Sequence, residues 1–199
     1  MKLPKSAKSS FEKCPEGNHI AVCYEVLDLG TQEVTFSGES KKKRMIWIGW
    51  ETPDEIMSDG RPYVIGKRYT LSSHEKSTLR KHLESWRGKR FTEEELETFD
   101  IKNLIGVGCL LNVVHSEHDG NTYANIEAVA RLPKGTQAPS LTNIPVYVSL
   151  EPGAFNAAEF SSLSDRMQET IAASPEYQEL CHGATAADEF TETEADSPF

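Results

Sequence analysis

No run in this sequence approaches the roughly 18 consecutive apolar side chains that a membrane-crossing helix needs. The opening MKLPKSAKSS also lacks the apolar stretch of a secretory signal, so a cytoplasmic protein is expected. Cysteine is sparse. Cys14, Cys23, Cys109 and Cys181 are scattered without a C-x-x-C pair in a chain of 199 residues, long enough to fold on its own core, and free thiols are expected. Cys14, His19 and Cys23 have half the spacing of a zinc site, but no second cluster completes it, and neither a metal nor a cofactor is expected. Also missing are a glycine-rich phosphate loop, a G-x-S-x-G elbow and an H-E-x-x-H pair. His115, His118 and Asp119 resemble a fragment of a metal or nuclease site. The last two fall in an expected hairpin loop, where polar residues belong in any case. No catalysis is expected.

Positive charge is almost absent late in the chain. Residues 134–199 hold 2 Lys and Arg against 11 Asp and Glu, and residues 91–133 hold 2 against 8. Residues 41–90 reverse the balance, with 13 basic against 6 acidic residues, although the whole chain carries a net charge of −10. Local fields rather than the total decide what docks where, so this asymmetry points to a basic working surface with an acidic appendage.

Periodicity places these charges. HIAVCYEVLDLGTQEV alternates apolar positions (Ile20, Val22, Tyr24, Val26) and runs on to VTF as one long or bent strand. KKKRMIWIGWETP, rich in aromatic and β-branched residues, is expected as a second strand, and PYVIGKRYTLS as a third after an Asp59-Gly60 turn. A helix follows, with Ser72 or Ser73 expected as N-cap, Gly88 as the stop and Leu79, Leu83 and Trp86 as its apolar stripe. FTEEELETF has the capping-box pattern of Thr92 with Glu95. Two more strands flank Asp119-Gly120, a hairpin signal. Beyond Pro133 a proline-containing strap is expected, with IPVYVSL as a candidate edge strand, then an amphipathic helix with Phe160, Leu163, Met167 and Ile171 that stops before Pro175.

Three strands, a helix and two strands is the element order of an OB-fold, a five-stranded barrel with a helix between its third and fourth strands, here within an α+β, mainly β, chain. The expected layout is a flexible N-terminus over 1–17, the OB-fold domain over 18–135, strap and helix over 136–181, and a disordered acidic tail over 182–199. Single-strand binders of this kind combine a cationic track for phosphates with flat rings on which bases stack. The candidate cations are Lys41, Lys42, Lys43, Arg44, Arg61, Lys67 and Arg68. The candidate stacking rings are Trp47, Trp50, Tyr63, Tyr69 and Tyr123. Strand alternation puts Arg44, Ile46, Ile48 and Trp50 on one face and Met45 and Trp47 on the other.

The final residues EADSPF, in an acidic segment without a basic residue, resemble the tip of bacterial single-stranded DNA-binding proteins. Stretches such as RYTLSSHEKSTLRKHLESWRGKRFTEEEL are similar to the bacteriophage and prophage versions of that family. The resemblance implies a protein of phage replication or recombination, in the cytoplasm of a bacterial host, that binds and protects single-stranded DNA without strong sequence preference. It implies that Glu194, Asp196, Pro198 and Phe199 dock on partner enzymes, with a homo-oligomer as a candidate assembly. The domain is longer than the bacterial pattern and the tip less densely acidic. A competing reading is an acidic inhibitor whose carboxylates imitate the phosphate backbone and engage a host DNA enzyme; the basic 41–90 segment speaks against it.

Overall fold

The structure, a computed structural model, describes residues 12–36 and 38–189. Its six strands form one mixed, mostly antiparallel, open sheet with the path β3-β2-β1-β4-β5, and β6 lies alongside β1. In chain order these are β1 (Gly17–Phe36), β2 (Glu39–Ile56), β3 (Pro62–Thr70), helices α1 (Thr78–Arg87) and α2 (Glu93–Thr98), a 3-10 turn at Ile101–Leu104, then β4 (Gly108–His118), β5 (Asn121–Ala130) and β6 (Val146–Val148). Helices α3 (Ala157–Ser161), α4 (Asp165–Ala172) and α5 (Pro175–Glu189) complete it. The expected order of three strands, helix and two strands is therefore present. Among the described residues no helix is long and apolar enough to cross a membrane.

Strand β1 is the spine. Its first part pairs with β4, with Ile20 opposite Leu110, and its later part pairs with β2, with Val26 opposite Ile48. Where β4 has ended, Glu25–Leu27 accept β6 in parallel. Irregularities at 23–25 and 28–30 let one strand serve these partners by bending it, the usual effect of an extra residue in a ladder. Gly30 sits in the second with φ 66°, where a side chain would collide with Ser174. The hairpin signals match their turns: Asp119 and Gly120 have φ of 50° and 73°, the left-handed pair a two-residue β4–β5 loop requires.

The sheet is covered on both faces. On one side Ile46, Ile48 and Trp50 of β2, Ile65 and Tyr69 of β3, and Leu111, Val113, Ile126 and Val129 of the β4–β5 hairpin meet Leu79, Leu83 and Trp86 of α1. On the other, Leu27 and Leu29 of β1 with Val148 and Leu150 cluster with Phe160 of α3, Leu163 of the α3–α4 link, and Met167 and Ile171 of α4. The apolar spacing expected for one amphipathic helix is split between α3 and α4; α4 stops before Pro175 as expected, and a further helix begins at that proline. A proline is well placed at a first helical position, whose N–H has no partner to lose.

Three other expectations are corrected. Helix α1 is capped by Ser77, whose side chain accepts from the Arg80 amide, not by Ser72 or Ser73. Ser77 Oγ donates to Ser72 O at 2.8 Å and Arg80 Nη1 to Ser73 O at 2.9 Å, so the 72–77 stretch is tied up as a turn. The expected flexible N-terminus is anchored from residue 12 onward: Glu12 accepts from the Ser58 amide at 3.1 Å and Glu16 from the His115 amide at 2.7 Å. Helix α5 carries regular backbone to Glu189, inside the stretch expected to be disordered. Residues 1–11 and 190–199, with Glu194, Asp196, Pro198 and Phe199, lie outside the described residues.

Candidate nucleic-acid interface

The structure divides the candidate rings by face. Trp50 and Tyr69 belong to the core rather than to a stacking surface. Trp50 is 1% exposed and lies at a tilt against Trp86, with ring centroids 5.7 Å apart. Tyr69 is 3% exposed, meets His82 edge-on, and shares a 2.9 Å hydrogen bond between its hydroxyl and His82 Nδ1. Both were expected to stack on bases, and neither offers a face. The cause is parity: they share their strand faces with Ile46, Ile48 and Ile65, which fill the core.

The other three rings stand elsewhere. Trp47 is opposite Arg68 in the β2–β3 ladder, on the face turned away from Trp50, and is half-buried. Its indole lies over Gly66 of β3, where any side chain would strike the ring, and its Nε1 donates to Glu25 Oε2 at 2.7 Å. Its buried flank packs against the apolar cluster that contains Leu27, Leu29 and Ile171. Tyr63 is half-buried at the start of β3, with its hydroxyl 3.4 Å from Glu12 Oε2. Tyr123 is 49% exposed on β5.

The cations separate in the same way. Lys41, Lys42 and Lys43 are exposed along the β1–β2 hairpin, and Lys41 pairs with Glu39 at 3.2 Å. Arg44 is engaged inside the protein: it bonds Asp28 at 2.5 Å and faces Glu176 of α5 at 3.9 Å. Glu176 in turn accepts from the Thr31 amide at 2.8 Å. Arg44 thus joins the C-terminal helices to the sheet and is withdrawn from the expected phosphate track. Arg61 is exposed but doubly bonded to Asp59 in its own turn. Lys67 is half-buried, and its Nζ donates to the Ile126 carbonyl of β5 at 2.5 Å, tying the two ends of the sheet path together. Burial holds its pKa below the usual lysine value, with Glu127 acting in the opposite sense. Arg68 is exposed on the outer face.

A shallow groove of about 530 Å³ gathers the remaining charge along the edge of β3. Lys43, Lys67, Arg68 and Lys76 line it together with His74, and among the described residues lining it there is no carboxylate. Met45 and Thr70 also line it, and the Thr70 hydroxyl lies 3.6 Å from Met45 Sδ. Lys76, His74 and the hydroxyls of Ser72 and Ser77 at this site were missed in the sequence. The sequence pattern assigns 72–77 to the start of a helix, and its basic residues point to a site only in the turn that the stretch forms beside β3.

Two further histidines hold structural contacts. His19, expected to complete no metal site, is buried between Glu55 Oε1 at 2.6 Å and the Pro15 carbonyl at 2.8 Å, and His115 Nε2 meets the Cys14 carbonyl at 2.8 Å. No protein-family model matches the chain, and no curated protein matches it either.

Proposed function

We propose that the chain binds single-stranded nucleic acid, single-stranded DNA in the first instance, along the β3 edge and the adjoining β1–β2 hairpin, within an OB-fold barrel. The observation that carries this reading is the groove in which Lys43, Lys67, Arg68, Lys76 and His74 converge without a carboxylate, on a chain of net charge −10. Scattered surface charge would mix signs there, as it does over most of a protein's exterior. Lys41 and Lys42 extend the positive field along the hairpin, and the exposed edge of Trp47 and the ring of Tyr123 are the surfaces left for stacking, at about 1–3 kcal/mol per base. The OB-fold assignment is supported by the element order and by the Lys67–Ile126 contact between β3 and β5, where such a barrel closes. In this reading the acidic 190–199 segment serves as a handle for partner proteins.

A phosphate-mimicking inhibitor is the second reading, favoured by a cleft of about 400 Å³ lined by Asp28, Glu97, Asp100 and Glu151, without a cation among its described lining residues. Anisotropy of a labelled oligo-dT at two salt concentrations separates the two. The binder prefers oligo-dT to duplex, and its log K falls with log salt by about 0.7 per neutralised phosphate. Failure to bind either nucleic acid at low salt would overturn the proposal and leave the mimic.

A further inference from the structure

A second groove shares no described lining residue with the β3-edge groove and is unused by the function above. It measures about 1210 Å³ and runs between α1, α2 and the 131–138 stretch that leaves β5. Its floor is apolar, built from Trp86, Phe91, Phe99 and Leu104, and Val107 stands 41% exposed beside it. Phe91 and Phe99 meet edge-to-face at 5.1 Å, and the Arg87 guanidinium lies 4.2 Å over the Phe91 ring. Four cations rim the groove: Arg87, Lys89, Arg131 and Lys134. The one carboxylate among its described lining residues, Glu95, accepts from both Arg87 and Lys89 at 2.8 Å, so the described rim keeps an excess of three positive charges.

We propose that this groove is the docking site for the acidic segment 190–199 of the same chain. That segment, FTETEADSPF, carries three carboxylates (Glu192, Glu194, Asp196), no cation, and two phenylalanines. Its charge is equal and opposite to the excess on the rim, and its rings match a floor already made of aromatic side chains. The groove is larger than the cavities that enclose small molecules, about 300–1,000 Å³, and is open along its length, which suits an extended peptide. Ten residues extend to about 33–36 Å, comparable with the diameter of a domain of this size, so the segment has the length to lie across a whole face. Docking here shields the carboxylates from the β3-edge cations and holds the segment ready for release to a partner. The proposal does not depend on nucleic-acid binding.

The test uses the full chain with the photo-cross-linker p-benzoylphenylalanine in place of Phe199, and a second variant with it in place of Phe190. After irradiation, adducts are mapped by peptide mass spectrometry. The expected adducts fall within 83–108 or 131–138 of the same chain, in protein that still runs as a monomer on a denaturing gel, and their yield drops about tenfold with Arg131→Glu and Lys134→Glu together. These two side chains sit on the rim, and an unchanged melting curve shows that the fold survives. Adducts on the β1–β2 hairpin or the β3 edge would overturn the proposal. So would the absence of adducts at both probe positions, or a yield indifferent to the charge reversal.

Discussion

Trp50 of β2 leans on Trp86 of α1 with ring centroids 5.7 Å apart and planes at 49°, while the buried Trp50 indole N–H has no hydrogen-bond partner among the described residues. The pair fastens the helix to the sheet. Trp50→Ala is expected to cost about 3–5 kcal/mol in urea unfolding. Trp50→Phe keeps a ring and removes the unpaired N–H, so it costs clearly less. Oligo-dT affinity of the folded Trp50→Phe protein should equal that of the parent; a loss of tenfold or more would restore Trp50 to the binding surface.

Arg68 and Lys76 belong to the groove, whereas Arg61 is already bonded to Asp59. Arg68→Glu with Lys76→Glu should weaken oligo-dT binding by about tenfold or more at low salt and flatten the salt dependence by roughly 0.7 per cation removed. Arg61→Glu should do much less in the same titration. Equal effects from the two would mean that net charge, not this groove, governs binding.

Glu51 is fully buried on β2 and accepts three hydrogen bonds from the strap: the Thr142 amide at 2.5 Å, the Asn143 amide at 2.9 Å, and the Asn143 side chain. A single carboxylate thereby holds the 136–145 connection down. Glu51→Gln turns an NH2 group toward these donors and is expected to destabilise by about 3 kcal/mol. Limited proteolysis should then cut near Thr142 first. Unchanged cleavage would show that the strap is held by other contacts.

Burial raises the pKa of Glu25 above the usual carboxylate value, and the Trp47 indole bond only partly opposes it. A raised folded pKa means that its stabilising contribution is complete below the unfolded pKa and is lost as pH rises through the folded one. Glu25→Gln, which imitates the protonated form, should therefore raise the melting temperature at pH 7. The gain should vanish near pH 4, and a gain that grew toward acid would contradict the burial effect.

Glu95 behaves oppositely. Arg87 first, then Lys89 and the Thr92 amide, pull its carboxyl down to about 2. Its contribution is present above the unfolded pKa and lost only as pH falls through about 2. Glu95→Gln should loosen the α2 capping box at neutral pH, seen as faster amide exchange at Thr92 and Leu96, and make a much smaller difference near pH 2, where the carboxyl is half protonated. An exchange rate at neutral pH unaffected by the substitution would remove the carboxylate from the cap.

Much of the architecture was legible because it depends on neighbours in sequence. The Asp119-Gly120 turn, the Thr92–Glu95 capping box and the Leu79, Leu83, Trp86 stripe each need only a few consecutive side chains, and each is present as expected. The site was less legible. Period-two alternation correctly set Trp50 apart from Trp47, but with both faces of the sheet covered it could not say which face held an open surface. Arg44 looked like one more cation in a basic run until Asp28 and Glu176 were placed beside it, and Glu176 lies far away in sequence. The Glu51 clasp has the same origin: its partners Thr142 and Asn143 are set by tertiary folding alone.

Strand β1 bonds to three neighbours that arrive at very different times. β2 follows it immediately, β4 much later, and the β6 residues that pair with Glu25–Leu27 on the order of a hundred residues after them. During synthesis, at roughly 5–20 residues per second, the β1 backbone is thus left for many seconds with bare amides and carbonyls. A nascent chain in that interval is open to edge-to-edge pairing with another copy, which makes the ribosome-bound intermediate, rather than the finished protein, the form most prone to aggregate.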